Sequence, residues 1–189
     1  LADIAVTCDQ DFSVVSNAAI DVTDGRISFI GPQSEAPLCD GHVHQLGGLI
    51  MPGLVNSHAH TPMTLVRGAG DGLPLLEWLT QVMWPREGEM TPEDVLWGMR
   101  LGASEMLRAG VTSTCEMYLF EESVVEASTD AGIRLVMTPG IISALHAVDF
   151  GSTQRRITTI ADFHQHYHDP ENRVTVGFGP HSAYDLPLE

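Results

Sequence analysis

Through the first 48 residues, apolar and polar positions fall into short β-type runs: Ile4-Ala5-Val6-Thr7, Ala18-Ala19-Ile20-Asp21-Val22 and Arg26-Ile27-Ser28-Phe29-Ile30. Runs of this length bounded by turn residues predict strands. Thr23-Asp24-Gly25 separates the second run from the third, and Asp-Gly is a strong hairpin signal. Residues 1–48 therefore predict a small antiparallel sheet or strands of a β-sandwich. After residue 48 the pattern becomes strand, then helix, repeated. The strand Leu54 to His58 follows the Pro52-Gly53 break, and helices are predicted over Pro74 to Trp84 and Pro92 to Ala109. In the second helix Thr91 is a natural N-cap, Pro92 suits the first turn, Asp94 completes a capping-box-like pattern and Gly110 ends the helix. Val95, Met99, Gly102 and Met106 line one face at helical spacing. The strand Val111 to Met117, the helix Glu121 to Ala131 and the strand Ile133 to Thr138 follow. A helix from Thr153 to His168 stops at Pro170, and a last strand covers Arg173 to Gly179.

Strands that alternate with helices imply right-handed βαβ units on a parallel sheet. Four such strands lie in residues 49–189, fewer than the eight of a closed βα-barrel, which takes about 250 residues. The pattern leaves two architectures open, a small open α/β sheet or the first half of a barrel. It predicts two domains, 1–48 and 49–189.

Charge narrows the partners. The 189 residues hold 25 acidic and 9 basic side chains, for a net charge of −16, and such a chain repels nucleic acid and anionic membrane surfaces. All the basic residues are arginines, which removes a P-loop lysine, a Schiff-base lysine and a carboxylated-lysine metal bridge from these residues. Cys8, Cys39 and Cys115 are widely spaced and odd in number, so neither a disulfide framework nor a thiolate zinc site follows. With no signal-peptide pattern and no apolar run long enough to span a bilayer, the expectation is a cytoplasmic protein.

The sharpest chemical pattern is Asn56-Ser57-His58-Ala59-His60 at the C-terminal end of the first βα strand. Alternation along a strand sends His58 and His60 to one side, where two imidazoles can reach one divalent ion. Strand C-termini are where parallel βα folds build their sites. Neutral imidazole suits zinc or ferrous iron, and at least one further ligand is needed. The competing reading is two polar loop residues. A second His-x-His, His42 and His44, lies in the strand-rich region, away from any βα strand end. His164 and His168 sit four apart on a helix, on a face continuing Ile157, Ile160 and Ala161, which points to the border of a packed face.

The run Leu49-Ile50-Met51-Pro52-Gly53-Leu54-Val55-Asn56-Ser57-His58-Ala59-His60-Thr61-Pro62-Met63-Thr64-Leu65 resembles the opening strand of the amidohydrolase superfamily. It is closest to the branch holding the 5-methylthioadenosine/S-adenosylhomocysteine deaminases and the triazine hydrolases. The likeness continues through Arg67-Gly68, Leu73 to Leu79, Trp84 to Gly88 and Glu116-Met117-Tyr118, and ends at Gly177-Phe178-Gly179-Pro180-His181-Ser182-Ala183-Tyr184. The resemblance implies a (β/α)8 barrel, here its first four βα units, preceded by strands of a small β-sandwich. It implies His58 and His60 as the first two metal ligands, with zinc ahead of iron. Trp78 and Glu87 would line a nucleoside pocket, with Glu87 accepting from sugar hydroxyls, and His181 would contact substrate. From the residues alone, Trp78 is as readily a core residue of an amphipathic helix and Glu87 a solvated turn charge.

Two departures stand out. Family members acting on S-adenosylhomocysteine carry an arginine at the end of the third strand, where this chain has Thr138-Pro139-Gly140, leaving Arg155 or Arg156 as replacements. The third metal histidine, the proton-shuttling glutamate and the metal-bound aspartate of the family belong to later strands, so no catalytic residue is expected within this chain. The implied activity is hydrolytic deamination of a purine nucleoside or related nitrogen heteroaromatic ring by metal-activated water. The missing lysine sets it apart from the binuclear cyclic-amide hydrolases. The alternatives are an inactive fragment and a non-catalytic metal- or ligand-binding module. Half a barrel would expose sheet edges and apolar faces, so a complementary C-terminal half or a second copy is expected to cover them.

Overall fold

In the computed structural model, described for residues 1–38, 40–142, 151–183 and 186, the chain forms two units that divide between Gly53 and Leu54. Cys39 and Tyr184 lie outside the described residues. The first unit is one four-stranded sheet in the order β3-β2-β1-β4, built from β1 (Ala2–Val6), β2 (Val14–Thr23), β3 (Arg26–Pro32) and β4 (Leu49–Ile50). β1–β2 and β2–β3 pair antiparallel, and the β2–β3 hairpin turns at Asp24 and Gly25, both at positive φ (52° and 74°), the conformation of a tight hairpin turn. β4 pairs parallel with β1 through Leu49 and Ile50, so the border falls five residues beyond residue 48.

The second unit carries a parallel sheet in the order β5 (Leu54–Ala59), β6 (Val111–Glu116), β7 (Arg134–Met137), β9 (Val174–Val176). Each strand pairs with the next one along the chain, the winding of a barrel wall rather than of a doubly wound sheet. Helices α3 (Pro92–Arg108), α4 (Glu121–Ala131) and α5 (Thr153–Tyr167) cover one face. Their core joins Val95, Met99 and Ala103 of α3 and Val124 and Ala127 of α4 to Leu135, Met137, Val174 and Val176 of the sheet. α3 starts as its sequence predicts: Thr91 accepts from the Asp94 N–H, and Asp94 accepts from the Thr91 N–H.

Two features depart from the sequence expectations. The predicted helix over Pro74 to Trp84 is three pieces, α1 (Leu75–Trp78), a π-turn at Leu79–Met83, and α2 (Trp84–Glu87). Pro85 has no N–H to give to the turn before it, which fits a ladder that changes spacing just upstream. The second is a parallel pair of two-residue strands, β8 (Gly140–Ile141) and β10 (Gly179–Pro180). They extend the β7 and β9 segments beyond the main sheet and are too short to leave a periodic signature.

Behind β5 the chain makes a 3-10 turn at Thr61–Val66 that lies directly on α3. Glycines allow the approach. A Cβ on Gly98 would meet the Pro62 carbonyl oxygen at 2.6 Å, and one on Gly102 would meet Thr61 Cγ2 at 2.2 Å. Thr64 donates to the Gly98 carbonyl (2.9 Å), and the Arg67 guanidinium forks onto Glu105 (3.2 and 2.7 Å). Gly102→Ala should therefore lose stability although alanine favours helix by about 1 kcal/mol, because overpacking costs about 1–3 kcal/mol. A lowered urea midpoint at unchanged slope is the expected result; a midpoint at or above wild type would show that the turn can lift off α3 freely.

Candidate metal centre

β5 does not run flat to its end. Asn56 pairs with Thr114 but Ala59 pairs with Glu116, so three steps on β5 match two on β6 and the strand bulges at Ser57-His58. Past the bulge, the rings of His58 and His60 stand edge to face with centres 5.0 Å apart, His58 exposed and His60 half-buried. With Zn–N bonds of about 2.0–2.1 Å, two imidazoles sharing one ion have ring centres roughly 5 Å apart, so the pair fits a common divalent ion. The pair lines a cavity of about 350 Å³ together with Asn56, Thr61, Arg67 and Glu105.

Hydrogen bonds fix how these rings face. His60 Nδ1 lies 2.6 Å from the Met117 carbonyl oxygen. A carbonyl only accepts, so Nδ1 carries the proton and Nε2 keeps its lone pair for a ligand, the arrangement usual for a metal-bound histidine. The Met117 N–H donates to the Ala59 carbonyl (3.1 Å), and the Asn56 side-chain oxygen accepts from the His58 N–H (3.4 Å).

Glu87, at the end of α2, lies close enough to Tyr118 and His60 for both to act on its charge, while the Tyr118 hydroxyl donates to Met90 Sδ (3.3 Å). Burial pushes the Glu87 carboxyl above its ordinary range, partly offset by the neighbouring Tyr118 and His60. Burial, then the Glu87 charge, push the Tyr118 phenol well above its own. Of the residues singled out in the sequence, His58 and His60 stand together and Glu87 lies near His60. Trp78 is half-buried and its indole N–H donates to the Ala69 carbonyl (2.9 Å), which locks the ring against the preceding loop. His181 follows β10, and its backbone N–H donates to the Ile141 carbonyl (3.1 Å). Arg156 is buried, donating to the Gly140 carbonyl (2.8 Å) and pairing with Glu121; it ties α5 to α4 and to β8. Arg155 is exposed.

The other histidine pairs differ. His164 and His168 stack at 4.3 Å with planes 20° apart, and His168 Nδ1 accepts from the Val176 N–H (3.1 Å). His42 and His44 are exposed, with rings 5.8 Å apart. Among the described residues, no group of three or more His, Cys, Asp or Glu side chains is placed to hold a metal ion, and no helix is long and apolar enough to cross a membrane. Sequence reasoning gave no role to Glu116, which is fully buried at the end of β6. Its signal was a carboxylate in register with Met137, where the facing helices call for an apolar side chain.

A sequence model of the Amidohydrolase family matches residues 49–189. A 5-methylthioadenosine/S-adenosylhomocysteine deaminase of Carboxydothermus hydrogenoformans is 40% identical over 185 residues, which cover 94% of this chain and 41% of that protein. The crystal structure of an adenosine deaminase from Xanthomonas campestris with bound zinc superposes with a TM-score of 0.79 at 30% identity, covering 98% of this chain and 43% of that one. A triazine hydrolase from Arthrobacter aurescens shares the fold, with a TM-score of 0.80 at 21% identity and coverage of 98% and 46%. The chain thus spans less than half the length of these relatives.

The nearness of Tyr118 to Glu87 gives a test on metal-free protein. Tyr118 favours the charged form of Glu87, so Tyr118→Phe should raise the Glu87 pKa further, read by carboxyl carbon shifts against pH. Because the folded value lies above the unfolded one, the protonated acid favours folding at pH below the unfolded value, and that contribution fades as pH rises through the folded value. Glu87→Gln should accordingly flatten the fall in melting temperature over that window. A Glu87 titration that Tyr118→Phe leaves in place would show that the phenol does not act on the carboxyl.

Proposed function

The chain belongs to the amidohydrolase family, and from that premise we propose that it is the N-terminal part of a metal-dependent hydrolase that deaminates a purine nucleoside or related nitrogen heteroaromatic ring. The observation that carries the reading is the His58–His60 pair, two imidazoles at a strand end with one Nε2 freed by a backbone hydrogen bond. Leu54–Glu189 then supply the first four βα units of the (β/α)8 barrel, and the remaining metal ligands and the proton-transferring groups come from later strands. The names of the relatives, an adenosine deaminase with zinc and a methylthioadenosine/S-adenosylhomocysteine deaminase, support zinc and an adenosine-type substrate.

When bound, a divalent ion supplies a water nucleophile activated at neutral pH. This chain's residues do the rest of the holding. His58 and His60 give two nitrogen donors from a strand end that is itself hydrogen-bonded to β6. Glu87, near His60 and Tyr118, offers carboxylate oxygens to substrate hydroxyls. Trp78 presents a fixed indole face and His181 a polar contact from the β10 end. Arg156 is already committed to Glu121 and Gly140, so a substrate bearing a free carboxylate has no ready partner there, and adenosine-type substrates without that group fit this half of the site better. Leu54, Val55, Leu75 and Leu76 are each more than half exposed, which supports a C-terminal half or a second copy covering them. Cys8 and Cys115 are free thiols, in keeping with a cytoplasmic protein.

The purified 189-residue chain should release no ammonia from adenosine-type or guanine-type substrates, with or without zinc. The product of the whole gene should deaminate an adenosine-type substrate and lose that activity to background in His58→Ala and in His60→Ala. Turnover by the 189-residue chain alone, or full activity in either variant, would overturn the assignment.

A further inference from the structure

Glu116 is a buried carboxylate that the reading above does not use. It is fully buried, and among the described residues it has no cationic side chain within ion-pairing distance. A carboxylate in that setting is costly unless donors satisfy it. Three do. Oε2 accepts the Thr61 backbone N–H (2.9 Å), and Oε1 accepts the hydroxyls of Thr61 (2.5 Å) and Thr114 (2.6 Å). Two of the three come from the residue directly after His60.

The backbone around Glu116 completes the arrangement. The next residue, Met117, receives the His60 Nδ1–H on its carbonyl and gives its own N–H to Ala59, the residue before His60. The Glu116 carbonyl takes both the N–H (2.8 Å) and the hydroxyl (2.9 Å) of Thr138, just past β7. His60 is therefore held before, at and after its own position by residues 116 and 117, which are in turn fastened to β7. The Glu116 side chain is in register with Met137 on the helix-facing side of the sheet, so it works through Thr61 and does not touch an ion held by the imidazoles.

We propose that Glu116 is the positioning residue of this centre: its carboxylate clamps Thr61, and the clamp sets the His60 ring with Nδ1–H on Met117 and Nε2 directed at the metal. This inference rests on the reading of His58 and His60 as ligands, and it adds a buried anion on the far side of the strand end. The negative charge also offsets, through one layer of backbone, the positive charge of an ion on the pair.

The test uses the metal-free product of the whole gene with two measurements, the His60 tautomer from ring nitrogen shifts and zinc affinity by titration calorimetry. Glu116→Gln should convert His60 from a single Nδ1–H form to a tautomer mixture and weaken zinc about 10- to 100-fold, the usual cost of losing an outer-sphere partner. Thr61→Val, nearly isosteric, should move both readings in the same direction by less, and it remains readable if Glu116→Gln unfolds. Thr114→Val removes a buried hydroxyl donor to Glu116 that comes from β6 itself and not from the residue after His60, so it should lower the melting temperature while leaving tautomer and zinc affinity unchanged. If Glu116→Gln and Thr61→Val keep the wild-type tautomer, or if Thr114→Val weakens zinc as much as Glu116→Gln, Glu116 is only a core hydrogen-bonding residue and the proposal fails. His60→Ala judges the ligand reading separately. Unchanged zinc affinity in that variant would sink that reading, and the tautomer comparison alone would then decide whether Glu116 orients the ring.

Discussion

A carboxylate with no exposure and, among the described residues, no cationic side chain within ion-pairing distance survives in the second unit because three hydrogen-bond donors converge on it, and the geometry of the site depends on where those donors come from. Two belong to Thr61 and one to Thr114, so Glu116 joins the end of β5 to the end of β6. An unsatisfied buried polar group costs about 1–3 kcal/mol, and more when charged, so the pairing is strongly determined. The carboxylate stays solvated by protein only while Thr61 remains in place. Thr61 in turn lies against Gly102, where no side chain larger than hydrogen fits. Helix packing, strand ends and histidine orientation are thus one connected set of contacts rather than three independent ones.

That connectedness explains which parts of the molecule its sequence discloses. Features with a local cause were legible. Thr91, Pro92 and Asp94 announce the start of α3, Asp24-Gly25 announces the β2–β3 hairpin, and the spacing of Val95, Met99, Gly102 and Met106 identifies the packed face of α3. The alternation of His58 and His60 indicated that both rings lie together, and they stand 5.0 Å apart. Features with a non-local cause, or too short to show a period, were not. The π-turn at Leu79–Met83 and the two-residue pair β8–β10 leave no period to read. Glu116 carried no role in the sequence, because the partner that gives it one, Thr61, lies 55 residues upstream. The bulge in β5 also escapes periodicity, since it is defined by the register of β6.

The same division holds for arginine. Arg155 and Arg156 are adjacent in sequence and equal in charge, yet one is exposed and the other buried against Glu121 and the Gly140 carbonyl. Burial turns Arg156 from a possible ligand contact into a tie between α5, α4 and β8, because a guanidinium taken from water must keep its partners. The identity of the residue is legible from sequence; its availability is a property of the packing.

On the proposed reading of His58 and His60 as ligands, a half-complete ligand set can still be well formed. Two flexible imidazoles on a loop would have to lose side-chain freedom when an ion arrives, and that loss would weaken binding. Here His60 is already held by the Met117 carbonyl, and its neighbours on both sides are bonded to β6. The order resides in backbone and buried hydrogen bonds within this chain, so it exists before any donor from another segment joins. A site divided along the chain as proposed would need one half rigid enough to define where the ion sits, and the β5–β6 joint would provide that half.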